Sequence, residues 1–492
     1  MTNKSFLQPL DRVAIALMLL LSLLIGLLIL QGDVVAARVR DFSWQNQQIG
    51  AEDISFTLTF SRPMNTKSVE DNLQINPPLA GKISWAGRRM VYTLLTPAPY
   101  GTNYKVQLQG AKDKFADTED KNRVIQPFTG QFTTRDRVIL YIGADQEEKG
   151  RLVLYNLTEE QKTVLTPKEL VVMDFKAFPD GEKILFSARA SNNQDLLSAK
   201  IYTVTTGISA KSGTPAAAGL IELMLDNQDY QNLKFDLSQN GQTIVVQRGN
   251  KNNPSDFGLW FMPADNKLGE QPQRLQSQPG GDFLIHPNST TVAIAQGQGT
   301  AILPLKKDAN QPINFLPQYG LVQAFSQDGS QAAMLKFNTD FTKELFLVSQ
   351  DTEKTLLKTT GSILNCQFDP ASPTLYCLLT QLVSQAQYIE QPYLVAIDLK
   401  TKQQKPLLVL PVEQRNVQMS LSPDGLALLF DQVVPQANTT TSSSSNLKTD
   451  DGEAIATSSL WLMPLLPISD QAISSIKPEK LPLVGFHPRW LP

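Results

Sequence analysis

Apolar and polar residues alternate along most of this chain with the period of two that marks a half-buried β-strand. Ile54, Phe56, Leu58 and Phe60 alternate with Ser55, Thr57 and Thr59; Met90, Tyr92 and Leu94 repeat the pattern, as do Tyr104, Val106 and Leu108. Pro77-Pro78, Pro97, Pro99-Tyr100-Gly101 and Pro127 punctuate these runs. Short strands at such spacing predict a β-sandwich over residues 40–134. One segment departs from the alternation. Val13–Leu30 is an uncharged run, VAIALMLLLSLLIGLLIL. As a helix it would span about 27 Å, close to the roughly 30 Å hydrocarbon core of a bilayer.

From residue 135 to 492 a unit recurs: an apolar strand, a turn of the Ser-Pro-Asp-Gly type, then a second apolar strand. It reads Met173-Asp174-Phe175-Lys176-Ala177-Phe178-Pro179-Asp180-Gly181 followed by Lys183–Phe186. Further copies centre on Ser238-Gln239-Asn240-Gly241, His286-Pro287-Asn288, Ser326-Gln327-Asp328-Gly329, Asp369-Pro370 and Ser422-Pro423-Asp424-Gly425. Pro fixes φ at the start of the turn, Asp caps it and Gly accepts the left-handed position. A third strand follows most units, as in Lys200–Val204, Gly258–Met262, Glu344–Val348, Tyr393–Ile397 and Leu460–Met463, with a shorter fourth strand before the next copy. Four strands per repeat is the blade of a β-propeller. Six copies are full, and the chain ends supply a seventh. Val138–Ile142 and Leu152–Leu157 read as second and third strands lacking a first, and Leu483–Trp490 reads as a lone first strand. Joining them hides two sheet edges, so the expected fold is an all-β, seven-bladed propeller closed by strands from both ends.

Two resemblances bear on these segments. Phe60-Ser61-Arg62-Pro63-Met64-Asn65 resembles the F-S-x-P-M-D signature of bacterial Ig-like domains of the SbsA type. Leu73-Gln74-Ile75, Trp85, Pro97, Tyr100–Tyr104, Lys112-Asp113 and Gly130–Thr134 follow in the family's order, with Asn65 in place of the usual Asp. In that family these are structural positions, Trp85 being a core tryptophan. The turn repeats resemble those of TolB-like propellers and, more distantly, WD-type ones. That likeness implies a protein that binds other envelope proteins.

The apolar run reads as an uncleaved anchor or as a cleaved signal sequence. It is longer than the usual apolar region of a signal peptide, about 7–15 residues, and Val34, Ala36 and Ala37 would suit a peptidase. No Cys follows it, which excludes a lipoprotein. Lys4 and Arg12 precede the run and Arg38 and Arg40 follow it, so flanking charge barely orients it. The expected plan is residues 1–39 as cytoplasmic tip and transmembrane anchor, 40–134 as an Ig-like sandwich and 135–492 as the propeller. The bulk then lies in the periplasm or an equivalent lumen, with the bilayer as one partner through Val13–Leu30.

Net charge is −3, which offers no basic face for nucleic acid. The two cysteines, Cys366 and Cys377, are too few for a four-Cys zinc site. A turn centred between Ala371 and Ser372 sets them directly opposite on paired strands, within reach of a disulfide. A register slip of one residue separates them and leaves two buried thiols. His286 and His487, the only histidines, both precede Pro and read as turn residues. Histidine metal clusters and Ser-His-Asp hydrolysis are therefore not expected. The chain has no Gly-x-Ser-x-Gly elbow, phosphate loop or dinucleotide fingerprint. Acidic groups such as Asp117/Glu119/Asp120 and Asp450/Asp451 read as solvated loops, and the Thr439–Ser445 tract with the Gly207–Gly219 loop as surface inserts. No catalytic, cofactor or metal residue is assigned, and the binding residues stay unassigned. The expected function is an extracytoplasmic binding or scaffold protein whose propeller takes an envelope protein, peptide or glycan. A propeller glycan hydrolase or lyase and a structural surface component are the alternatives. A channel lined by Gln, Ser, Thr and Lys favours binding; clustered buried carboxylates favour the enzyme.

Overall fold

The computed structural model describes residues 9–30, 36–114, 124–209, 215–265, 271–275, 278–306, 314–350, 352–384, 389–414, 416–435, 447, 455–465 and 477–492. The Thr439–Ser445 tract, the acidic groups at 117–120 and 450–453 and part of the Gly207–Gly219 loop lie outside them. The apolar run forms helix α1 (Pro9–Leu30), whose side chains are described for residues 13–26. Among the described residues no helix is long and apolar enough to cross a membrane.

The chain divides into two compact units, the first of residues 1–46, 55–93 and 104–132, the second of 47–54, 94–103 and 133–492. In the first, Val39–Phe42, Ser55–Phe60, Arg89–Leu94 and Gly81–Ala86 form one sheet in that order, and Asn103–Leu108 pairs with Leu73–Asn76 in another. An aromatic core joins the sheets: Phe42 meets Phe56 at 5.3 Å and Trp44 meets Phe132 at 5.0 Å. The core tryptophan is therefore Trp44, 4% exposed. Trp85, expected there, is half-buried on the edge strand Gly81–Ala86, stacked on Phe60 with its indole N–H donated to Glu70. Asn65 caps helix α2 (Thr66–Asn72): its Oδ1 accepts from Ser68 N at 3.0 Å.

The second unit contains, among the described residues, seven four-stranded antiparallel sheets. We number them I to VII. Sheets II to VII follow the chain and begin with first strands Leu170–Ala177, Tyr230–Leu237, Phe283–Ile285, Leu321–Phe325, Ile363–Phe368 and Met419–Leu421. Sheet I takes its first strand, Gly485–Trp490, from the far end of the chain and pairs it with Val138–Gly143; Leu152–Asn156 and Gln161–Val164 complete it. Hydrophobic clusters fill every boundary. Leu140 and Phe175 lie between I and II, Leu185 and Phe235 between II and III, Val245 and Phe283 between III and IV. Ala293 and Met334 follow, then Leu335 and Leu379, then Leu378 and Met419. Tyr141 and Leu429 return the succession from VII to I. Each large apolar side chain so buried contributes about 1.5–3 kcal/mol relative to exposure.

The repeat turns act as their residues imply. Gly181, Gly241, Gly329 and Gly425 hold φ of +71°, +69°, +71° and +73°, where a side chain is strained. Ser422 Oγ accepts from Ala427 N and Ser326 Oγ from Gln331 N, both 2.9 Å. One turn reading fails. His487-Pro488 is not a turn but a bulge inside the strand Gly485–Trp490, where the register shifts between Phe486 and Arg489. The turn position of this copy falls later, at Leu491, whose N–H bonds Val138 O as Phe178 N–H bonds Lys183 O. In sheet VII the second and third strands stay paired out to Pro435 and Ile455.

Candidate binding site at the ring of first strands

Each sheet is tied to the next by at least one polar side chain on its first strand or in the adjoining turn, and the ties close on themselves. Lys176 of sheet II pairs with Asp236 of III, and Asp236 Oδ2 accepts from Ile285 N of IV at 2.8 Å. Lys234 of III pairs with Asp282 of IV at 2.6 Å. His286 of IV reaches Gly329 O of V at 3.2 Å; its Nδ1 accepts from Asn288 N, which leaves Nε2–H as the donor. Gln323 of V donates to Ile363 O of VI at 3.1 Å. Gln367 of VI donates to Met419 O and accepts from Leu421 N of VII, at 3.0 and 2.8 Å. Ser420 of VII accepts from Trp490 N of I, and Arg489 of I donates back to Met419 O. His487 Nε2 of I lies 3.2 Å from Asp174 Oδ1 of II, which completes the circuit.

A bulge brings these groups together. Register shifts lie between Val172 and Asp174, Asn232 and Lys234, Ile363 and Asn365, and Phe486 and Arg489. Past the bulge, Phe175, Phe235 and Cys366 point into the sheet boundaries and are buried. Of the residues on either side, Asp174, Lys176, Lys234, Asp236 and Gln367 supply most of the ties. Asp174, Lys176 and Lys234 keep 40%, 39% and 38% of their side chains exposed. The cluster is thus open to water while Asp236, 4% exposed, anchors it from beneath.

Electrostatics set two carboxylates apart. Desolvation by the surrounding protein pushes Asp174 upward although part of its side chain meets water. The hydrogen bond from His487 and the positive charges around it, His487 when protonated, Arg489 and Lys176, outweigh that push and hold the group below its ordinary value. Burial of Asp431 dominates instead and raises it to about 6, although Gln418 N and His487 N both donate to it at 2.7 Å. His487 thus serves the site twice, by backbone to Asp431 and by ring to Asp174, at φ +56°. Its φ and its 6% exposure mark it as part of the ring rather than a surface turn.

Cys366 and Cys377 are register partners on the first two strands of sheet VI. They are joined by a disulfide with Cα atoms 4.1 Å apart, in the core between sheets V and VI. Among the described residues no group of three His, Cys, Asp or Glu side chains converges to hold a metal. The ring residues Asp174, Lys176, Lys234, Asp236, Asp282 and Arg489 were not singled out from sequence. The signal was present in sheets II and III, where charged residues flank the buried Phe175 and Phe235 of the first strands.

No family model matches the chain, and no curated protein does. Solved structures do align. TolB from Acinetobacter baumannii shares 11% identity over 86% of this chain and 83% of its own, with a TM-score of 0.40. An oligogalacturonate lyase from Vibrio parahaemolyticus shares 10% over 65% and 92%, at 0.42. A hypothetical selenium-binding protein from Sulfolobus tokodaii shares 10% over 72% and 93%, at 0.46. Likenesses this remote carry no function across. The propeller-like architecture rests on the sheet pairings themselves.

Proposed function

We propose that the chain is a membrane-held binding protein: a seven-bladed propeller whose channel, ringed by the seven first strands, receives a peptide or glycan of an envelope partner. The Ig-like sandwich serves as its spacer and Val13–Leu30 as its anchor. One observation carries the reading. The ring's carboxylates are engaged: Asp174 by His487, Asp236 by Lys176 and Ile285 N, Asp282 by Lys234, Asp431 by two backbone N–H groups. Half-exposed ion pairs can exchange partners with a ligand's charges and amides at little cost, whereas paired-carboxylate hydrolysis needs two carboxyl groups facing one bond. The Cys366–Cys377 bridge supports an oxidising compartment outside the cytoplasm.

The test is affinity capture by the full chain from native membranes, wild type against the charge reversal Lys234→Glu. A defined partner lost in the variant is expected. A partner retained unchanged, or turnover of a glycan by the purified chain, overturns the binding reading. The anchor is tested separately. Resistance to alkaline extraction is expected, and a soluble product with a new N-terminus near Ala37 refutes it.

A further inference from the structure

The two-sheet sandwich of the first unit gathers positive charge at one end, the end by which the chain enters it from α1. Arg38 N donates there to Ser61 Oγ at 3.0 Å, and Ser61 N to Arg38 O at 2.9 Å. Phe60 N donates to Arg88 O at 2.9 Å, and Arg88 Nη1 reaches Ser61 O at 3.3 Å. Arg89 opens the strand that pairs with Ser55–Phe60. The turn before it stands clear of the rest: Gly87 sits at φ +62° with open space where a Cβ would be. Lys112 and Lys114 join this end through backbone bonds with Asn65 and Pro63, both 3.0 Å. Arg40, Arg62 and Lys67 bring the described bases to eight, against the acids Asp41, Glu70, Asp71 and Asp113. Residues 115–123 add two bases and three acids, so ten bases stand to seven acids. This local excess is concealed by the chain's net charge of −3. Two of the acids are engaged. Asp113, 4% exposed, faces Arg62 at 4.0 Å, and Glu70 takes the N–H of Trp85. Arg38, Arg40, Arg88 and Arg89 are exposed. Among the described residues the side chains of Arg38, Arg40 and Arg89 meet no hydrogen-bond or ion-pair partner.

We propose that this end is a seat on the membrane that holds the chain: Arg38, Arg40, Arg88 and Arg89 grip the phosphate headgroups of anionic lipid. The proposal rests on the reading of Val13–Leu30 as an anchor, and it is independent of the channel, since no ring residue takes part. Chain length and charge together name the occupant. Eight Cα–Cα steps separate Leu30 from Arg38, a reach of at most about 29 Å. The arginine end is therefore the part of the sandwich held nearest the lipid. A tether so short makes the contact intramolecular, so a patch too weak to hold a free protein suffices here. Anionic headgroups attract exposed Arg within about one Debye length, ~10 Å at 0.1 M salt. The planar guanidinium offers paired N–H donors that match phosphate oxygens two at a time. Seated in this way, the sandwich is held upright on the bilayer instead of swinging on its tether.

The experiment reconstitutes the full chain in vesicles of phosphatidylcholine, alone or mixed with phosphatidylglycerol. A donor dye is attached at Ala86→Cys, the native cysteines being bridged, and an acceptor is carried on the lipid headgroups. Expected is stronger energy transfer in the phosphatidylglycerol vesicles, falling to the phosphatidylcholine level in high salt. The triple variant Arg38→Glu, Arg88→Glu, Arg89→Glu should lower the ratio of seated to free sandwich at least about tenfold, the effect of ~1.4 kcal/mol. Lys at the same three positions should keep most of the transfer, which separates loss of charge from loss of fold. A donor at Lys105→Cys, at the other end of the sandwich, should transfer less than one at 86. A chain that phosphatidylcholine vesicles do not retain refutes the anchor, and the seat with it. A retained chain refutes the seat alone in any of four ways: equal transfer in the two lipids, indifference to the Glu variant, equal loss in the Lys and Glu variants, or stronger transfer from 105 than from 86.

Discussion

The ring of first strands has two halves built from different chemistry. Across sheets I to IV the ties are charged: His487 to Asp174, Lys176 to Asp236, Lys234 to Asp282. From V round through VII to I they end on backbone groups and are uncharged but for Arg489 to Met419 O: Gln323 to Ile363 O, Gln367 to Met419 O and Leu421 N, Ser420 to Trp490 N. The amide half stitches side chain to backbone, and each bond removes one buried backbone group from the unsatisfied list. The charged half stitches mainly side chain to side chain and leaves its ion pairs half in water. The first arrangement fixes geometry. The second leaves its charges open to solvent and makes the ring sensitive to pH and salt.

Mutation can break that contrast. The largest effect is expected for Asp236→Ala, because one carboxylate serves both halves of its neighbourhood. Its loss strands Lys176 and the buried Ile285 N–H, and denaturant unfolding should show a loss of about 2–4 kcal/mol. Gln367→Ala comes next. It orphans Leu421 N and takes from Met419 O one of two donors, Arg489 being the other, and should cost about 1–3 kcal/mol. The loss should be equal at low and high salt; a strong salt dependence would erase the distinction between the halves.

Replacing both Cys366 and Cys377 by Ser should cost about 2–3 kcal/mol, the loop entropy of a bridge with some ten intervening residues. Mass spectrometry of the alkylated, non-reduced chain checks the bridge directly, and two alkylated thiols would contradict it.

The smallest effect is acid-dependent and sits where the halves meet. Asp431 is raised to about 6 in the folded chain, above its ordinary value. Between those values the folded state holds a proton that the unfolded state has released. Its contribution to stability is therefore full below the ordinary carboxylate range and lost as pH rises through about 6. Asp174, held low, runs the other way: its contribution is present at neutral pH and lost only as pH falls through its depressed folded value. Asp431→Asn should flatten the stability profile between about pH 4 and 6 and leave the steeper acid limb intact. An unchanged profile between those values would remove Asp431 from the account.

How much of this could be read from the chain depended on how local each feature is. The turn repeats span a dozen residues, so period and turn chemistry bring them out; for Cys366 and Cys377 the same reasoning leaves two registers open, and the strand pairing selects the one that sets them opposite each other. Ring ties join residues far apart, Lys176 to Asp236 or His487 to Asp174, and depend on bulges that no local pattern announces. The same cause misplaced His487: His-Pro imitates the repeat turn, yet the bulge moves the true turn position to Leu491. The resemblance that implies a core Trp85 carries no information about strand position, and Trp85 falls on an edge strand. Trp44, the residue actually buried, lies in a stretch with no alternation to mark it.

The strand Gly485–Trp490 has a temporal consequence. Its partner Val138–Gly143 leaves the ribosome about 340 residues earlier, which at roughly 5–20 residues per second is about 17–70 s of synthesis. Throughout that interval the nascent chain carries an open, wholly apolar edge, VILYIG, of the kind that seeds association between neighbouring chains. Contacts this distant in sequence also form slowly once the chain is complete. Translation rate and the crowding of ribosomes on one message should therefore govern the yield of native protein, quite apart from how stable that protein is once made.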